Sequence, residues 1–123
     1  MNYFSNTLLA NSTASNYNSK INKWVSIMPQ NENSLQFIYT NPNYSVVQLR
    51  QYLVETNVDT AQTLNSYIKA IFSVVEHNKE LFSVIKPERY NKATLRWKEL
   101  RQKTYEYALS FEDFIFILKI FVL

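Results

Sequence analysis

Apolar residues recur along most of this chain at steps of three and four, the period of an α-helix packed on one face. Tyr17, Ile21, Trp24, Val25 and Met28 fall on one such face, with Ser15 or Asn16 placed to cap it and Pro29 to end it. Pro29 to Asn33 has loop composition, and Ser34 to Tyr39 suits a short helical turn that points Leu35 and Ile38 inward. After the Asn41-Pro42-Asn43 break, Val46, Leu49, Tyr52 and Leu53 predict a helix over about 45–54. The clearest stripe is Leu64, Tyr67, Ile68, Ile71, Val74 and Val75, in a helix from Ala61 to about His77 capped by Asp59 or Thr60, with Asn78 at its end. Leu81, Phe82, Val84 and Ile85 suggest a packed turn. Pro87 then opens a helix on Tyr90, Ala93, Trp97, Leu100 and Thr104 that should run to about Leu109. Ser110 with Asp113 resembles a capping box for a last element, and Phe114 to Leu123 is apolar without a period, consistent with a buried helix or a strand.

These elements predict an all-α fold, a small orthogonal bundle of four to five helices with an irregular N-terminal arm and an apolar C-terminal segment. The divisions are a flexible arm over 1–14, a helical domain over 15–109 and the apolar segment over 110–123. The expected core contains Trp24, Leu49, Leu53, Ile68, Ile71, Val75, Trp97 and Leu100. At 123 residues the chain has the size of one domain. Its nine tyrosines and eight phenylalanines supply large rings for a core of that size.

Composition removes several function classes. There is no glycine, which excludes Gly-rich phosphate loops, dinucleotide fingerprints and nucleophile elbows. There is no cysteine, so disulfides and thiolate metal sites are impossible. The N-terminus lacks the basic start and long apolar run of a signal peptide. The C-terminal run is interrupted by Lys119 and falls well short of the roughly 20 residues a membrane span needs. His77 is the only histidine, and a lone histidine suits a surface or core-edge position better than a metal site. The acids are scattered, and no Ser/His/Asp set emerges. The expectation is a binding protein rather than an enzyme, with no catalytic residue, no metal and no cofactor.

The formal net charge is only +3, but it is unevenly spread. From Lys86 to Lys103 seven basic residues face two acids, Glu88 and Glu99. Arg96 and Lys103 are two turns apart, and Arg89 and Lys92 precede them on a similar side. Such cations on a helix can neutralise phosphates, although a solvated face with local Glu99 and Glu106 pairing is the more common meaning of charge alone. At the start of the Ala61 helix, Thr60, Gln62, Thr63, Asn65 and Ser66 crowd the first turns, with Lys69 following. Free N–H groups there can hold phosphate, and Gln and Asn can read adenine edges, while capping and solvent exposure are the plainer alternative.

Taken in order, YNSKINKWVSIM, the short helix before Asn41-Pro42, SVVQLRQYL, TAQTLNSYIKAIFSVVEHNKEL and RWKELRQKTYEYA resemble the N-terminal core-binding (SAM-like) domain of tyrosine recombinases, the phage-type integrases, especially versions from large DNA viruses. The most family-like stretch holds Thr63, Asn65, Tyr67, Ile68, Ala70 and Ile71, and the likeness spans about residues 15–109. It implies helices that clamp duplex DNA, with Lys69, Arg89, Lys92, Arg96, Arg101 and Lys103 as the DNA-binding set. The catalytic domain that would carry recombination or integration chemistry has no counterpart in this chain, so no tyrosine is assigned as a nucleophile. The alternative is a viral structural or assembly protein, such as a minor virion component, that contacts a protein partner or itself through Phe114 to Leu123. Either reading implies an intracellular setting: a virion, or the host cytoplasm or nucleus.

Overall fold

The computed structural model describes residues 2–4, 11–29, 34–56, 58 and 60–122, with side chains over 2–4, 11–29, 35–56, 58 and 61–104. The described residues form an all-α fold without a strand. The order is α1 (Asn11–Ser26), α2 (Ser34–Thr40), α3 (Pro42–Glu55), α4 (Thr60–His77), α5 (Lys79–Phe82) and α6 (Pro87–Val122). Helix α4 is central and packs against α1, α3, α5 and α6.

The core is built around two tryptophans with no solvent exposure, Trp24 of α1 and Trp97 of α6. Their rings meet edge to face with centroids 5.6 Å apart, and Trp24 meets Tyr67 of α4 in the same manner at 6.0 Å. A buried indole N–H needs an acceptor, and each has one. Trp24 Nε1 donates to the Ser45 carbonyl at 3.1 Å, and Trp97 Nε1 to the Tyr39 carbonyl at 2.8 Å. The two rings thereby tie α1 to α3 and α6 to the end of α2. Of the expected core, Leu49, Leu53, Ile68, Ile71 and Val75 are also buried, and Leu100 is half-buried against the cluster.

The end of α2 shows how a short helix is held. Its last carbonyls lack partners within the helix. The Asn41 backbone N–H and side-chain amide both donate to the Phe37 carbonyl, at 3.0 and 2.9 Å. Ser45 Oγ donates to the Ile38 carbonyl at 3.2 Å, and Trp97 takes that of Tyr39. Tyr39 is itself buried, a core residue the period of α2 does not mark. Its hydroxyl bonds to Thr94 Oγ1, and its ring stacks beside Trp97 at 6.5 Å.

Three helix boundaries differ from expectation. Helix α1 starts at Asn11, before the expected cap, because Ala14 extends the packed face beyond Tyr17 toward the N-terminus. The first residues are docked as well. Tyr3 and Phe4 are buried, the Tyr3 N–H donates to Asn18 Oδ1 at 2.8 Å, and the Asn78 amide donates to the Tyr3 carbonyl at 2.9 Å. Two aromatic rings close to the N-terminus outweigh the polar residues that follow them. Helix α3 begins at Pro42 rather than near Ser45, since proline serves a first helical position here as it does at Pro87. Finally, α6 does not stop near Leu109 but continues as one helix to Val122. No Gly or Pro follows Pro87 to interrupt it. The expected cap at Asp59 lies outside the described residues, as does the side chain of Thr60. No described helix is long and apolar enough to cross a membrane.

Candidate nucleic-acid interface

Helix α6 carries most of the candidate cations, and its buried stripe sorts them. Ala93 and Trp97 are buried, and Tyr90, Leu100 and Thr104 half-buried, along one line of the helix. At about 100° per residue, Arg89, Lys92, Arg96 and Lys103 fall on one flank of that line, and Lys98 and Arg101 on the other. The basic segment therefore forms two surfaces.

On the first flank α6 runs beside α2 and α3. Arg89, Lys92 and Arg96 border a recess with Thr40 and Pro42. Arg96 is fixed there: its Nε donates to Asn43 Oδ1 at 2.6 Å, and its Nη1 pairs with Glu99 at 3.0 Å. Farther along, Lys103 and Arg50 of α3 border a second recess floored by Val46, Leu64 and Leu100. Arg50 was not a candidate by sequence. It stands alone among apolar and neutral residues, and only the packing of α3 beside α6 brings it to the basic flank.

The second flank faces α4. Lys69 and Arg101, both candidates, lie here with Lys98, around a groove also lined by Asn65, Phe72 and Gln102. The Arg101 guanidinium sits over the Phe72 ring at 5.4 Å. The other polar residues expected at the start of α4 form no comparable set. Gln62 is exposed, and Ser66 Oγ bonds back to the Gln62 carbonyl at 3.1 Å.

No described group of His, Asp and Glu is arranged to hold a metal ion. His77 is exposed; its Nδ1 lies 2.8 Å from the Ser73 carbonyl, and its ring packs on Phe4. Burial pushes the Tyr39 hydroxyl up to about 12; the Thr94 hydrogen bond pulls against that rise and Tyr90 adds to it. Burial also raises Tyr3 and Tyr67, the latter helped by Tyr52. These phenols stay protonated at neutral pH, suited to donating hydrogen bonds.

Compared with protein-family models, curated proteins and solved structures, the chain matches none.

Proposed function

We propose that this chain is a non-catalytic helical DNA-binding module that holds duplex DNA by its phosphates along the α3–α6 flank. The observation that carries the reading is the alignment of Arg89, Lys92, Arg96 and Lys103 on one side of α6, with Arg50 added from α3. From Arg89 to Lys103 the helix rises about 21 Å. That matches about six nucleotide steps on one strand. The resemblance to recombinase core-binding domains points to the same partner. The two candidates facing α4, Lys69 and Arg101, fall outside this surface.

Phosphate contacts release counterions, so affinity should fall with salt at a log-log slope of about −0.9 per contact and vary little with DNA sequence. Anisotropy titrations of a labelled duplex over a salt series test this. Replacing Lys92 and Lys103 by Ala should flatten the slope by about 1.8. Equal binding by parent and variant at every salt concentration overturns the reading.

A second reading is a structural or assembly protein, a minor virion component among the options, that works through its C-terminal segment. The length of α6 favours it. At 36 residues α6 is twice as long as α4, the next longest helix at 18, so α4 can flank at most half of it. The sequence from Phe114 onward is apolar except for Lys119. Under this reading, deletion of 111–123 turns a self-associating chain into a folded monomer by light scattering. An intact chain that is monomeric, and unfolds on truncation, excludes it.

A further inference from the structure

Helix α3 has a face that the bundle does not use. Its buried residues Ser45, Val46, Leu49 and Leu53 lie on one side. On the opposite side Tyr44, Val47, Gln51 and Val54 follow at steps of three, four and three, and Val58 comes four residues later, just past the helix end. All four apolar members are exposed, Val54 the most at 62%. Scattered apolar residues are ordinary on a surface, but alternating steps of three and four put them on one line, the spacing of a seam between two helices.

Charge says what covers that seam. Arg50 and Glu55 are exposed and border one shallow groove with Val47, Gln51 and Val54. Neither forms an ion pair among the described residues. Five residues apart, they stand about 140° from each other around the helix, one on each side of the seam and too far around to pair within α3. When two copies of a helix lie parallel, the residue before one seam position faces the residue five places later on the other copy. Arg50 then meets Glu55 of the second copy, and a two-fold axis repeats the contact in reverse. In an antiparallel pair each edge of the seam meets its own kind, so Arg50 and Glu55 stay apart. Gln51 lies mid-seam, where its amide can both donate to and accept from its counterpart and so fix the register.

We propose that α3 is the seam of a homodimer in which two copies of the helix lie parallel about a two-fold axis, closed by Tyr44, Val47, Gln51 and Val54 and flanked by Arg50–Glu55 ion pairs between the copies. A helix of 14 residues offers a seam of about 21 Å, short of a standard interface, so the dimer is weak and reversible. It requires neither duplex binding nor the C-terminal segment. Arg50 also borders the duplex-binding flank, so the measurement is made without DNA.

Sedimentation equilibrium of the full chain, from micromolar to millimolar concentration, tests the proposal. The parent should pass from monomer to dimer. Arg50→Glu or Glu55→Arg sets like charges against each other in both contacts and should weaken the dimer roughly tenfold. The two substitutions together reverse every pair and should restore the parent's affinity within about twofold. Both side chains are exposed, so the melting temperature should hold in all three variants. Val54→Cys reads the orientation. The chain has no cysteine of its own, and the parallel seam brings position 54 of the two copies together. Oxidation should link this variant roughly tenfold faster than Leu95→Cys, an exposed position on another helix. A chain that stays monomeric, a double reversal that fails to restore the dimer, or equal crosslinking at the two positions overturns the proposal. So does self-association that is indifferent to both single reversals and is lost only on deletion of 111–123, the outcome that favours the C-terminal segment instead.

Discussion

The two flanks of α6 hold five and three cations, with Arg50 and Lys69 counted, and differ more in what surrounds them. Toward α3, Arg89, Lys92 and Lys103 are exposed along an open edge, and Arg96 is tied to Asn43 and Glu99. Toward α4, Arg101 lies on an aromatic ring, and a buried amide oxygen stands unpaired beside three cations. An open row of flexible charges suits a long, regular polyanion read without regard to sequence. Three cations around a recess, one of them laid on a ring, form a more local arrangement. Net charge does not distinguish them; the placement of the neighbours does.

The largest test of this division removes what separates the flanks. Trp97 is fully buried between them and closes the end of α2. Trp97→Ala should cost about 3–5 kcal/mol, the usual loss for emptying an aromatic core site. Urea unfolding measures it, and an unchanged midpoint would mean that the two surfaces do not share one core. Alkaline pH presses on the same junction more gently. The folded Tyr39 hydroxyl titrates at about 12, above the value of about 10 for a free phenol. A pKa raised on folding gives stability that is complete below about pH 10 and is lost as pH rises through 12. Tyr39→Phe should flatten the decline in unfolding free energy between those values. A parent whose stability is level across that window contradicts the buried setting of Tyr39.

Sequence reasoning reaches the stripe of each helix more readily than the pairs formed across helices. Helical periods identified the stripes of α1, α3 and α4 and most of the core, because burial repeats along each helix. Tyr39 escaped, since its burial depends on Trp97 and Thr94, which lie far along the chain. The docking of Tyr3 escaped for the same reason: its partners are Asn18 and Asn78. In the candidate interface, the shared side of Arg89, Lys92, Arg96 and Lys103 was legible from spacing alone. The separation of Arg101 from them follows from the same spacing, whereas the placement of Lys69 beside Arg101 and the arrival of Arg50 needed the packing of α4 and α3 against α6.

Single residues on the α3 flank differ as well. Lys92 is exposed, whereas Arg96 already shares its charge with Glu99. Lys92→Ala should therefore flatten the salt slope of duplex binding by about 0.9, and Arg96→Ala by less. The exposed Arg96–Glu99 pair should contribute no more than about 1 kcal/mol to stability. A slope change larger for Arg96 than for Lys92 would show that the guanidinium leaves Glu99 to meet DNA, and the flank would then be a rearranging surface rather than a fixed row.

The smallest expected effect lies on the α4 flank and bears on whether that flank is organised at all. A cation over an exposed ring is worth about 0.5–1 kcal/mol. Phe72 is half-buried and Arg101 is exposed, so the pair belongs near the lower end of that range. Arg101→Gln alone mixes this contact with changes in general charge, and Phe72→Leu alone mixes it with lost packing. A double-mutant cycle removes both contaminants if the two sites couple only through the ring and the guanidinium. The expected coupling from urea unfolding is about 0.5 kcal/mol, little changed by salt because the ring carries no net charge. Repeating the cycle with Arg101→Lys retains the charge and loses the planar face, and should retain only part of the coupling. If the coupling is zero, Arg101 samples solvent as freely as Lys92 does. The α4 groove would then have no oriented donor, and the two flanks would differ only in the helix they face.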